Sequence, residues 1–301
     1  VLLQQAVDEY LFDCEYRKLS PKTIENYSKQ IRYLQEHLTK KGIKNLEEVT
    51  PAQIKQFLSI KQKEGCKANY INNLLKAFKC LFEYCFEEGY TDTCITAKVK
   101  NQKKPKVIIN TFTAKNVKDM INFYDGKKYL DVRNKMILIF LFDTGIRLNE
   151  LVHLKPEDVT EDCIIIKYGK NYKERVVPKT PYLTKNYFKY LRIRESYFSN
   201  KSLLNKELFL SKNCKMLTHE MVERIVKIAG KGANVSPNIR CSPHTCRHTY
   251  AQMQLMNGLD IYSLSRILGH ENISITQIYL NSIRDKEIVT AGVKTSPLMN
   301  L

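Results

Sequence analysis

Four patches carry residues whose types and spacing could do chemistry. The first is Ser-Pro-His-Thr-Cys-Arg-His-Thr-Tyr at 242–250. Ser242-Pro243 is a helix start, a capping hydroxyl followed by proline at the first helical position. It sets His244 and Arg247 three positions apart on one face, where an imidazole beside a guanidinium makes a phosphate clamp. Taken alone, the pattern reads first as a helix cap with a surface arginine. The second patch is Leu-Gly-His at 268–270, where Gly269 ends a helix and presents His270 at its margin. Tyr279 follows nine residues later, after a polar stretch holding Ser274 and Thr276. A phenol with a pKa near 10 is protonated at neutral pH and attacks only with help, which a nearby imidazole and guanidiniums would give. Among 18 tyrosines, Tyr279 stands out only by its place after Leu-Gly-His.

The third patch is Phe142–Val159, where Gly145 breaks a long apolar helix, Arg147 opens the next segment and Glu150 can pin that arginine. By itself this is a surface ion pair. The fourth is a short hairpin with Lys170 at its turn and Lys173-Glu174-Arg175 beyond. Cys241, His244, Cys246 and His248 raise a zinc reading, but their spacing matches no finger. No phosphate-binding glycine loop and no dinucleotide fingerprint occurs, and no acidic cluster for Mg²⁺ stands out. No cofactor and no metal are therefore expected.

The elements around these patches divide the chain. Helical periodicity fills residues 1–89. Ser20-Pro21 opens one run through Ile24, Tyr27, Ile31, Leu34 and Leu38, Thr50-Pro51-Ala52-Gln53 opens another as a capping box, and a third spans Tyr70 to Phe86 before Gly89. These stripes predict a small helical bundle. Residues 90–110 form a basic linker, in which Lys98, Lys100, Lys103, Lys104 and Lys106 put five lysines into nine residues. Those lysines read as phosphate contacts rather than a merely solvated hinge, and so do Lys173 and Arg175. From residue 111 the chain is again helical, interrupted by two short β-branched strands at 163–168 and 174–177. Helices return near 181–198, 218–229, 243–256 and 261–268. The expected fold is mainly α with a small β-hairpin, in two domains: a helical bundle at 1–89 and a mixed α/β domain at 111–301.

Composition narrows the partner. Lys and Arg number 49 against 31 Asp and Glu, a formal charge of +18 and a pI near 9.4, which favours a polyanion. No apolar run spans a bilayer, so no membrane partner is expected, and the N-terminus is a poor secretory signal. Nine cysteines, odd in number and without a Cys-x-x-Cys pair, fit free thiols in a reducing cytoplasm. Val1 stands where an initiator Met is expected, which leaves open a longer chain.

Taken together the patches resemble the tyrosine recombinase, or phage integrase, family. The matching segments are Thr-Gly-Ile-Arg147-Leu-Asn-Glu150-Leu, Gly169-Lys170, His244-Thr-Cys-Arg247-His248-Thr, and Leu-Gly-His270 followed by Tyr279. Ser20, Thr23, Tyr27 and Ile31 are similar to a looser signature of the family's core-binding domain. The resemblance implies that Tyr279 attacks a DNA phosphate to leave a 3′-phosphotyrosyl link and a free 5′-hydroxyl. Arg147 and Arg247 would stabilise the developing charge, with Glu150 supporting. Lys170 would protonate the leaving oxygen, and His244 and His270 would orient the phosphate and help protons move. It also implies double-stranded DNA as partner, a homo-oligomer (a tetramer in the synapse), and service to a mobile element, with an arm-binding domain before Val1 left open. Asn171 stands where many members have Gly, and Asn281 where a His is frequent. The competing readings are a chromosome-resolving recombinase, a type IB topoisomerase-like enzyme, a DNA-binding regulator and a metal-dependent nuclease.

Overall fold

The computed structural model describes residues 1–104, 110–167, 174–201, 205–270 and 272–280. Lys106, Lys170, Lys173 and the tail after 280 lie outside them. The chain forms two compact units, Val1–Lys106 and Val107–Leu301.

The first unit holds helices α1 (Leu3–Tyr16), α2 (Pro21–Thr39), α3 (Pro51–Lys63) and α4 (Ala68–Glu87). Ser20 caps α2 by accepting the Thr23 N–H, and Thr50 and Gln53 form the reciprocal box that opens α3. Helix α4 carries the main apolar face, burying Leu74, Ala77, Phe78, Leu81, Phe82 and Cys85 at three- and four-residue spacing. The expected linker starts later than residue 90. Ile95 and Val99 enter this unit's core, and Asn72 clasps the backbone of Gln102 at both its N–H and its carbonyl (2.8 and 2.9 Å). Two apolar side chains within a run of lysines suffice to pin it, while Lys98, Lys100, Lys103 and Lys104 remain exposed.

In the second unit α5 (Ala114–Phe123) leads to α6 (Tyr129–Thr144), a helix buried around most of its circumference, which packs against α5, α8 (Pro181–Phe198), α9 (His219–Gly232) and α10 (Pro243–Met256). Helix α7 (Leu148–His153) follows α6 after a left-handed turn at Gly145. Strands β1 (Cys163–Ile166) and β2 (Arg175–Pro178) pair antiparallel, with Ile166 opposite Arg175 at the turn end. Helices α11 (Ile261–Leu268) and α12 (Ser274–Leu280) pack on α10. The mainly helical two-domain fold with one small sheet is as expected, with strand ends displaced by one or two residues and α9 longer by three at its end.

Candidate active site

Helix starts and stops place the polar residues. At the end of α6, Gly145 takes φ +60°, and an added Cβ would lie 2.4 Å from the Tyr250 ring. The chain turns there and begins α7 with Arg147 at the N-cap. The Glu150 carboxylate accepts the Arg147 backbone N–H (2.8 Å) and a guanidinium bond from Arg147 (2.9 Å). Ser242 caps α10 by accepting the Thr245 N–H (3.2 Å), with Pro243 at the first helical position, and so fixes the helix that carries His244, Arg247 and His248.

The C-terminus of α11 is the organising centre. Its last carbonyls have no intrahelical partner and sit at the negative end of the helix dipole. Three guanidiniums take three successive ones: Arg175 Nε donates to Ile267 (2.8 Å), Arg247 Nη2 to Leu268 (2.7 Å) and Arg147 Nη2 to Gly269 (2.9 Å). Arg247 is 4% exposed and also donates to the Gly145 carbonyl (2.6 Å), so the α6–α7 turn and the α11 end hold it between them. Burial first, then the charge of Arg147, pulls Arg247 down to about 10, which leaves it cationic at neutral pH.

His270 follows Gly269. Its Nε2 lies 3.0 Å from Arg247 Nη2 and its Nδ1 2.8 Å from the Thr276 hydroxyl. A guanidinium has no lone pair to offer, so Nε2 accepts, the ring is neutral and Nδ1–H donates to Thr276. Burial and the three neighbouring arginines push His270 down to about 4, consistent with that state. His248 is likewise pushed down to about 4, by burial and by His244 and Arg247, and His244 is lowered by burial and Arg247.

Tyr279 on α12 is 4% exposed and shares the cleft wall with Arg247. Burial raises its pKa, and the charges of Arg247 and Arg147 oppose that rise. Its ring stacks near His270 (6.5 Å between centroids) and meets His248 edge-on (5.3 Å), and His248 in turn touches His244 (4.1 Å). Arg147, His244, Arg247, His270 and Tyr279, residues 132 positions apart at the extremes, thus line one open cleft of about 760 Å³. A cationic pair beside a phenol and neutral imidazoles suits an anionic electrophile such as a phosphodiester.

Several residues sit otherwise than the sequence suggested. Glu150 is not at the surface: its side chain is 1% exposed and shared by two arginines. Arg175, expected as a phosphate contact, is turned inward with a side chain 9% exposed, and all three of its nitrogens are engaged by Glu150 and Ile267. Of the cysteines and histidines at 241–248, His244 and His248 touch while Cys246 is buried in the core, and no metal-binding trio of His, Cys, Asp or Glu occurs among the described residues. Thr276 and His248 touch the key side chains without having been singled out for a role. Only the position of Thr276, one helical turn before Tyr279, hinted at it.

A model of the phage integrase family matches residues 110–285, and a phage integrase N-terminal SAM-like domain matches residues 3–92. The chain belongs to the phage integrase family. As a tyrosine recombinase it is one of the DNA strand transferases. It is 26% identical over 279 residues to tyrosine recombinase XerD of Staphylococcus haemolyticus and equally to that of Staphylococcus aureus, covering 92% of this chain and 94% of each relative. Solved structures share the fold. XerH site-specific recombinase bound to a palindromic difH substrate matches with a TM-score of 0.76 at 21% identity, over 91% of this chain and 80% of that one. A lambda integrase dimer bound to a core site gives 0.71 at 19%, over 91% and 97%. The Tn1549 transposon integrase bound to transposon end DNA gives 0.72 at 19%, over 96% and 99%. No helix among the described residues is long and apolar enough to cross a membrane.

Proposed function

We propose that this recombinase cuts and rejoins DNA at a specific site through Tyr279, in the integration or excision of a mobile element. The observation that carries the reading is that Tyr279, Arg247, Arg147 and neutral imidazoles line one cleft. The Tyr279 oxygen attacks phosphorus, a 3′-phosphotyrosyl bond forms, and the bond to the 5′-oxygen breaks. Arg147 and Arg247 meet the charge growing on the phosphoryl oxygens, an effect worth on the order of 10²–10³ in rate per donor. His244 and His270, kept neutral by burial and by the arginines, orient the phosphate and pass protons. Lys170 supplies the proton to the leaving 5′-oxygen. Attack by another strand's 5′-hydroxyl then reverses these steps and releases the tyrosine, so the bond energy is conserved.

Double-stranded DNA is the partner, and Lys98, Lys100, Lys103, Lys104, Lys106 and Lys173 are proposed as contacts to its phosphates. The working form on paired sites is a homo-oligomer, and the place of work is the cytoplasm. The lambda and Tn1549 integrases among the solved structures of this fold support the mobile-element reading. A second reading, recombination at a resident chromosomal site, is favoured by the near full-length match to proteins named XerD. Sequencing the DNA fragments retained by the protein separates the two: element ends support the first, a single chromosomal locus the second. For the chemistry, Tyr279→Phe should abolish covalent capture of a nicked suicide duplex while binding persists. An unchanged adduct yield removes Tyr279 from the nucleophile's role.

A further inference from the structure

Glu150 poses an electrostatic problem for the reaction just described. A carboxylate with a side chain 1% exposed lies against Arg147, the guanidinium meant to face a phosphate. A full negative charge paired to Arg147 alone would cancel the attraction the phosphate needs. The structure supplies a second cation. Arg175 meets Glu150 in a fork-to-fork pair, Nη1 to Oε1 at 2.7 Å and Nη2 to Oε2 at 2.6 Å, tighter than the single 2.9 Å guanidinium bond from Arg147. Burial would raise the Glu150 carboxyl, but the hydrogen bonds and charge of Arg175, with those of Arg147, outweigh it and hold the group ionised.

Arg175 takes no place in the cleft wall, whereas Arg147 does. Two nitrogens of Arg147 are bound, to Glu150 and the Gly269 carbonyl, and its side chain remains 30% exposed. Arg175 also opens β2 just after the hairpin turn, and its Cδ lies where a Cβ on Gly269 would come within 2.8 Å. One side chain therefore ties the hairpin, the buried carboxylate and the α11 end together.

We propose that Arg175 is a positioning residue for strand cleavage: it serves as the counter-ion of Glu150, so that Arg147 keeps its geometry from that carboxylate and its charge for the scissile phosphate. This rests on the cleavage reading above. Losing Arg175 leaves Glu150 to Arg147 alone and turns a guide into a competitor of the substrate.

The test is single-turnover cleavage of a nicked suicide duplex by the whole chain, read beside DNA affinity as a function of salt and beside thermal melting. Arg175→Met is expected to slow covalent capture by on the order of 10², with the salt dependence of binding unchanged. Arg175→Lys, which keeps the charge but not the fork, should fall between. The decisive variant is Glu150→Gln combined with Arg175→Met. The neutral amide can still accept a bond from Arg147 but needs no counter-ion, so the pair should cleave roughly tenfold faster than Arg175→Met alone. A double variant no faster than the single overturns the counter-ion role. A salt slope lowered by about one in Arg175→Met, with the cleavage rate kept at saturating DNA, assigns Arg175 to the phosphate backbone and also overturns it. Should Arg175→Met fail to fold, Arg175→Lys with and without Glu150→Gln carries the same comparison. Tyr279→Phe is run in each background: a persisting adduct refutes the cleavage reading itself, while its loss together with a failed rescue refutes the role of Arg175 only.

Discussion

His270 shows how a single side chain is set by its neighbours. Arg247 can only donate, so the ring must accept at Nε2, and Thr276 takes the remaining proton. His270 and His248 both lie near 4 in the folded chain and close to 6.5 when it unfolds. Between those values the unfolded chain binds protons that the folded one refuses. Stability should therefore fall as pH drops from about 6.5 towards about 4 and level off below. Urea unfolding across that range measures it, and His270→Gln should flatten the slope by close to one proton. A slope unchanged by the substitution would mean that His270 is not neutral in the fold. The sequence singled out His270 and Tyr279 because their residue types and separation are local information. It misjudged Arg175, since Lys-Asn-Tyr-Lys-Glu-Arg reads as basic surface, and the carboxylate that turns the arginine inward stands 25 residues away.

At the scale of elements, boundaries do most of the positioning. Where a capping side chain precedes proline the helix begins where the sequence says, as with α2, α3, α8 and α10, because the cap satisfies backbone donors within three residues. Strand ends are less legible, since a strand's length depends on a partner elsewhere in the chain. The glycine stops are the sharpest elements of the site. Gly145→Ala adds left-handed strain to a contact of 2.4 Å with the Tyr250 ring, and should lower stability by about 2–4 kcal/mol. Gly269→Ala meets the Arg175 stem at 2.8 Å with the same kind of strain, and should destabilise less but slow cleavage more, because it pushes on the guanidinium cluster. Thermal melting beside single-turnover cleavage separates the two outcomes. Equal effects of both substitutions on rate and stability would contradict this division.

For the whole molecule, charge and partition matter more than any one contact. A formal charge of +18 gives the chain a long-range pull on nucleic acid, and the lysines at 98, 100, 103 and 104 add to it on the exposed end of the first unit. Replacing Lys103 and Lys104 by alanine should weaken binding alike on cognate and random duplexes and reduce the salt slope by about two, with cleavage at saturating DNA retained. A loss confined to the cognate sequence would mean that these lysines read bases. The division into two units was legible as a change of composition. The boundary at 106/107 falls inside the expected linker of 90–110, but the docking of that linker's first part was not legible, because Ile95 and Val99 are anchored by a core that the local run of lysines gives no sign of.

The enclosure of Tyr279 also bears on what can reach it. The phenol is almost wholly shut away from solvent, its ring flanked by those of His248 and His270. Whatever reaches that phenol must pass through the cleft whose wall it shares with Arg147 and Arg247.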